Sequence, residues 1–262
     1  MTLDSLLNKP LPQIPTEIRG LLDANAPVSL TAFREKNSIL TDVSLQKEIG
    51  FSRFDNGNYI VSMTCPMPGI TPEMIRWWFW WHAQDSLRYK VWFPGEHYGI
   101  STARKDCAYF AEKAMPAFQP NTHYPIERIG RLILPLKIEF VSPEDFGFSP
   151  ELMRENGIPL IVCGHVGAMY GLVRHTEMAH IFKQTEDGLL LISRFWLGQM
   201  LKNPLLRKAM LTDKTAKGMA EHCCIEYRNL TEILSGLYFD MHRHRNELCI
   251  SSSLQKTINI RK

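Results

Sequence analysis

Glu221-His222-Cys223-Cys224-Ile225-Glu226 is the stretch whose residue types and spacing carry the most chemistry. Positions four apart share one face of a helix, so His222 and Glu226 project side by side. A neutral imidazole and a carboxylate are both good donors to Zn²⁺, at about 2.0–2.2 Å. The plain alternative is an ordinary surface His–Glu pair. That alternative is favoured by the H-x-x-x-E spacing alone, and Met219, Cys223, Cys224 and Ile225, which make much of the surrounding helix apolar, shift the balance slightly toward an inward-facing pair. Two donors do not make a site, because a catalytic zinc needs a third protein ligand and an open position. His82, His97, His123, Glu127, His165, His175 and His180 are the candidates, and spacing alone does not select among them.

The elements that must position these residues can be read in part. Ala216–Leu237 is the longest helical stretch and carries His222 and Glu226. Thr71 reads as an N-cap, Pro72 as the first helical residue, and Glu73 suits the positive end of the dipole. The following WWFWWH is apolar all round, so this helix is expected to be buried, with His82 hydrogen-bonded in the core. His97 falls in FPGEHYG, a stretch broken by Pro94, Gly95 and Gly99 and read as loop. Tyr59–Met63, Leu136–Phe140, Leu160–Cys163 and Leu189–Phe195 have the composition or alternation of strands. Glu127 begins an apolar run leading toward a strand, and His180 alone reads as a solvated histidine. Residues 1–50, with a Thr16–Asp23 helix and another near Leu30–Lys36, read as an N-terminal arm or small subdomain; residues 51–262 form the main domain. Several strands followed by one long helix give an α+β fold, with an antiparallel sheet curved over that helix.

Composition narrows the function classes. The 262 residues are 45% hydrophobic and 22% charged, an ordinary globular mixture. A net charge of +3 without a long basic run argues against nucleic acid. No apolar run approaches the roughly 18–20 residues of a membrane span. The N-terminus lacks the pattern of a secretory signal, and six cysteines without a CxxC read as reduced thiols, so a cytoplasmic location is expected. No nucleophile elbow, Walker loop or dinucleotide fingerprint is present. Tyr59, Trp77, Trp81, Trp92, Phe110 and Trp196 read first as core, although six tryptophans are enough to line a pocket for a flat aromatic ring.

PGITPEMIRWWFWWH followed by DSLRYKVWFPGEH, together with HIFKQTEDGLLLISRFWLG and the H-x-x-x-E helix, resembles the diacetylphloroglucinol hydrolase and phloretin hydrolase family. The likeness runs from about residue 55 to about residue 235. It implies a helix-grip, Bet v 1-like domain, a homodimer, and a zinc-dependent hydrolase that cleaves the carbon–carbon bond between an acyl group and a phenolic ring. Carried over residue by residue, the resemblance implies zinc ligands at His97, Glu127, His222 and Glu226, a substrate-holding tyrosine at Tyr89, and an acid/base histidine at His180. The substrate-binding set is then Tyr89, Phe195, Trp81 and Ser101. Two positions depart from the family pattern. Phe195 stands where a tyrosine is expected, and Tyr98-Gly99-Ile100-Ser101 replaces an asparagine just after the first zinc histidine. Each change removes a polar group that would grip a ring hydroxyl, an interaction worth about 0.5–1.5 kcal/mol.

The chemistry this implies starts from an aryl carbanion being a poor leaving group. Tautomerisation of a ring hydroxyl makes the acyl-bearing carbon sp³, and Tyr89 would hold that oxygen. Water then attacks the acyl carbonyl while His180 passes a proton to the ring carbon. Two other readings stay open. The same zinc site would suit ester hydrolysis or rearrangement of a heterocyclic ketone, and a helix-grip cavity without chemistry would be a carrier of apolar ligands.

Overall fold

The computed structural model describes residues 2–130 and 132–259, with side chains as far as Arg243. Its strands are β1 (Gly50–Arg53), β2 (Tyr59–Pro68), β3 (His97–Thr102), β4 (Asn121–Ile129), β5 (Leu132–Val141), β6 (Leu160–Ala168), β7 (Val173–Gln184) and β8 (Gly188–Leu197). They form one sheet of eight in the order β1-β2-β8-β7-β6-β5-β4-β3, every neighbouring pair antiparallel. The four expected strand segments lie within β2, β5, β6 and β8.

A helix spanning Asp213–Asn259 follows the sheet and contains the expected Ala216–Leu237. It touches β1 and β2 near one edge and β4 near the other. In a flat sheet β2 and β4 would stand about 24 Å apart, five spacings of roughly 4.8 Å, whereas a helix is only about 10–12 Å wide. The sheet must therefore curl around the helix. The closed space between them holds the main core, with Ala220, Cys223, Tyr227, Leu230 and Leu234 of the helix all buried.

The tryptophan helix, Pro72–Trp81, starts as the sequence predicts: Thr71 Oγ1 accepts from the Met74 amide at 3.3 Å, and Pro72 occupies the first turn. Met74, Ile75, Trp77, Trp78, Trp80 and Trp81 are buried. A 3₁₀ turn at His82–Gln84 leads to Asp85, whose carboxylate accepts from the Leu87 amide at 2.6 Å and opens the short helix Ser86–Lys90. His82 is buried, with Nδ1 2.7 Å from the Trp78 carbonyl, the core role expected of it.

FPGEHYG is not all loop. From His97 onward it is β3, an edge strand with a bulge between His97 and Gly99. The bulge and glycine broke the period-two pattern that reveals a strand. The expected helix near Leu30–Lys36 is a single 3₁₀ turn, Phe33–Glu35, while Thr16–Asp23 is helical as expected. Residues 2–50 cover both faces of the sheet. Leu6, Ile14, Ile18 and Leu22 join the main core, while Val28, Ile39, Leu40 and Leu45 pack with Trp196 and Phe146 on the outer face. Among the described residues no helix is long and apolar enough to cross a membrane, and Cys65, Cys107, Cys163, Cys223 and Cys224 are free thiols.

Candidate metal centre and active-site cavity

Three elements converge at one end of the space inside the sheet. His97 and Glu127 stand directly opposite each other on β3 and β4. His222 and Glu226 project from the long helix one turn apart, and all three of His97, His222 and Glu226 are buried. Their ligand atoms lie within 4.8 Å of one another. His97 Nε2 is 3.3 Å from His222 Nε2, 3.4 Å from Glu127 Oε2 and 3.7 Å from Glu226 Oε2. His222 Nε2 is 3.6 Å from Glu226 Oε2 and 3.9 Å from Glu127 Oε2.

These separations bear directly on metal binding. Four donors about 2.0–2.2 Å from a tetrahedral cation are about 3.3–3.6 Å from each other. The five separations above, 3.3–3.9 Å, fit that figure with a small contraction, and His97, His222 and Glu226 form the group whose ligand atoms all lie within 4.8 Å of one another. The donor set of two imidazole nitrogens and two carboxylates suits a divalent cation of borderline hardness. His97 Nδ1 lies 3.3 Å from the Tyr89 carbonyl, which takes its proton and leaves the Nε2 lone pair facing the cluster. The residues therefore fit a metal.

The surroundings hold the donors in place. The Tyr89 ring stacks on His97 at 4.1 Å and 3°, and its hydroxyl donates to Glu127 Oε2 at 2.6 Å. Trp92 Nε1 donates to the Glu226 carbonyl at 3.1 Å. Asn229 donates to the carbonyls of Val91 and Trp92, pinning the helix to the chain just before His97. Burial, then the charge of His222, push the His97 imidazolium well below its ordinary range. Burial also pulls His222 down, but its hydrogen bond to Glu226 and the charges of Glu226 and Glu127 outweigh that and hold it at about 9. Burial raises Glu226. Tyr89 is raised well above the usual phenol by burial, then by Glu127, and stays protonated.

A cavity of about 70 Å³ opens beside the four donors. Glu127, His222 and Glu226 form its polar end, with Tyr89, His180 and Phe195 in its walls. His180 is buried in β7, not solvated. Its Nδ1 is 2.8 Å from Ser193 Oγ, its ring sits 4.9 Å from Tyr227, and burial depresses its pKa to about 3. Trp81 and Ser101 lie elsewhere. Trp81 stacks on Trp77 at 4.8 Å under the Arg88 guanidinium, and Ser101 is exposed on β3. Alternation explains Ser101: on an edge strand whose other face meets the site, one register faces water. Of the remaining histidines, His123 and His175 border the cavity, whereas His165 pairs with Glu177 at 2.6 Å away from it. His175 Nε2 is buried without a hydrogen-bond partner. The sequence named His175 only as a possible ligand; its free ring nitrogen in the wall is a property of β7 packing.

The DAPG hydrolase PhiG domain model matches residues 30–239. The chain belongs to that family. The phloretin hydrolase of Eubacterium ramulus is 31% identical over 241 residues, covering 87% of this chain and 86% of its own length. The 2,4-diacetylphloroglucinol hydrolase of Pseudomonas protegens is 30% identical over 225 residues, covering 77% of this chain and 71% of its own. The family resemblance carried by the tryptophan helix and SRFWLG is thus borne out. Among solved structures, protein Ms6760 from Mycobacterium smegmatis aligns over 71% of this chain and 97% of its own, at 10% identity and a TM-score of 0.38.

Proposed function

We propose that this protein is a zinc-dependent hydrolase that cleaves the carbon–carbon bond between an acyl group and a hydroxylated aromatic ring. The observation that carries the reading is the buried triad of His97, His222 and Glu226, its ligand atoms within 4.8 Å of one another, with Glu127 Oε2 3.4 Å from His97 Nε2, beside a buried cavity. Membership of a family whose relatives are named phloretin and 2,4-diacetylphloroglucinol hydrolases supports it. The sheet curled around one long helix supports a helix-grip, Bet v 1-like reading of the fold.

His97, Glu127, His222 and Glu226 would hold the cation, which supplies Lewis-acid stabilisation to an oxygen of the substrate. With its own proton committed to Glu127, the Tyr89 oxygen offers its lone pairs to a ring hydroxyl. His180, neutral because burial disfavours its cation, enters as a proton acceptor. It takes a proton from the attacking water as oxygen bonds to the acyl carbon. That proton then goes to the ring carbon, which keeps the electron pair of the broken bond. Water is consumed, and a carboxylic acid and the deacylated phenol leave. The apolar walls exclude competing water from the reacting centre.

Phe195 in the cavity wall offers no polar group, which keeps ester and heterocyclic-ketone substrates in play. A panel of acylphenols, aryl esters and heterocyclic ketones incubated with the zinc-loaded protein tests the reading. Acid and deacylated phenol formed in equal amounts from an acylphenol would support it. Turnover of the esters or heterocycles with acylphenols untouched would replace it.

A further inference from the structure

Three connections meet at one end of the sheet: the β4–β5 hairpin, the β6–β7 loop and the segment that leaves β8. Leu136 of β5 stands opposite Ala168 of β6, and the Gly198 amide donates to the His175 carbonyl of β7 at 2.6 Å, so the three are neighbours. The hairpin exposes Leu132 and Ile133, the loop exposes Met169, Tyr170 and Leu172, and the segment exposes Met200, Leu205 and Leu206. Among the described residues thirteen large hydrophobic side chains are exposed, and eight of them stand here. Scattered exposed apolar groups are ordinary on a protein, whereas this concentration at one end marks an interaction surface.

The backbone holds these groups outward. Met169 and Tyr170 are consecutive non-glycine residues at φ 52° and 55°. That left-handed conformation crowds Cβ against the next carbonyl, and such strain persists mainly where function requires it. The short helix Pro204–Met210 is capped by Asn203, whose side chain accepts from the Leu205 amide at 2.9 Å. Arg207 ties that helix to the β1–β2 turn by donating to the Asn56 carbonyl at 2.9 Å, while Leu205 stays 79% exposed.

The charges behind the apolar groups decide the partner. Residues 199–212 carry Lys202, Arg207 and Lys208 and no acid, and Lys214 follows in the first turn of the long helix. Asp213, just before it, accepts from the Tyr59 hydroxyl at 2.7 Å. Beside the β6–β7 loop, Lys137 and Arg174 share one carboxylate, Glu139, at 2.8 and 2.9 Å. In the β1–β2 connection Arg53 offsets Asp55. The end is therefore cationic as well as apolar. A second copy docked through the same end would set like charges face to face, which opposes self-association. Apolar tips with cations behind them, and a tyrosine among them, instead match a layer of anionic headgroups over hydrocarbon.

We propose that this end docks peripherally on an anionic lipid bilayer, the apolar tips entering the headgroup boundary and the lysines meeting lipid phosphates. The inference does not depend on the hydrolase reading. Glu127 is two residues from the end of β4, so docking brings the metal donors close to the lipid, where an apolar ketone would be concentrated.

Co-sedimentation of the purified protein with vesicles of phosphatidylcholine, with and without phosphatidylglycerol, tests it. Partitioning should be about tenfold or more stronger onto the anionic vesicles, and should fall as salt screens the lysines. Lys202→Glu combined with Lys208→Glu should remove that preference. Leu172→Glu combined with Leu205→Glu should weaken binding to the anionic vesicles by about tenfold or more. Val43→Glu, at an exposed position of the N-terminal arm, should not weaken it. All five side chains are exposed, so circular dichroism should show the fold retained in every variant. Absence of binding to anionic vesicles, or equal binding by wild type and the double leucine variant, overturns the proposal. So does a dimer in light scattering that the double leucine variant splits, because this end would then be a contact between copies.

Discussion

His180 is the residue on which the proposed chemistry turns, and its surroundings define what it can do. A buried imidazole whose pKa is depressed to about 3 is neutral near pH 7, so it must receive a proton before giving one. Its hydrogen bond to Ser193 fixes the ring but reaches none of the metal donors. His180→Ala should therefore keep its full complement of zinc by elemental analysis, while kcat falls by about 10²–10⁴-fold. Unchanged kcat would remove His180 from the reaction. The residues of the site were unequally legible. The spacing of His222 and Glu226 was visible because a helix period makes neighbours of positions four apart. His97 and Glu127 meet only through the β3–β4 pairing, and no local period encodes which distant strands pair. Family resemblance, not spacing, singled them out. Trp81 shows the converse: an aromatic in the right motif faces Trp77 and Arg88, because helix phase decides which ring reaches a cavity.

At the scale of elements, the site depends on how closely the long helix approaches the sheet. Gly218 lies one turn before His222, and a Cβ there would meet the Gly130 backbone at 3.1–3.3 Å, at the end of β4. Glycine inside a helix costs about 1 kcal/mol relative to alanine, and close approach is what compensates here. Gly218→Val should push the helix away from β4 and separate His222 from Glu127. Zinc affinity should then fall by about tenfold or more, as expected when the shell supporting a ligand is disturbed, with the helix content by circular dichroism retained. Wild-type affinity in that variant would show that this contact does not set the ligand spacing. The tryptophan helix, Thr16–Asp23, the long helix and the strands β2, β5, β6 and β8 were readable from caps, apolar runs and alternation. β7 was not, because both its faces are covered: Met178 and Phe182 join the main core, Ala179 and Ile181 the outer one. A strand buried on both sides loses the alternation that announces it. β3 was hidden by its bulge.

For the whole molecule, a core that encloses neutral histidines makes stability depend on pH. Burial holds the pKa of His82 and of His180 at about 3, against an ordinary histidine value of 6.5. The unfolded chain therefore binds protons that the folded chain refuses once pH drops below the unfolded value. Stability from these groups is complete above about pH 7 and declines as pH falls through 6.5 toward 3, by about 2 kcal/mol per histidine at pH 5. Urea midpoints measured from pH 7.5 to 5 should fall accordingly, and His82→Phe should shallow the slope. A slope unchanged by that substitution would place the acid sensitivity elsewhere.

The central claim joins metal and bond cleavage, and one experiment addresses both. Purified protein is stripped with a chelator, divided, and half is reloaded with zinc before each portion meets an acylphloroglucinol. Equimolar carboxylic acid and deacylated phenol are expected from the reloaded half and almost none from the stripped half. Equal turnover in the two halves, or intact ketone after full zinc loading, would contradict it.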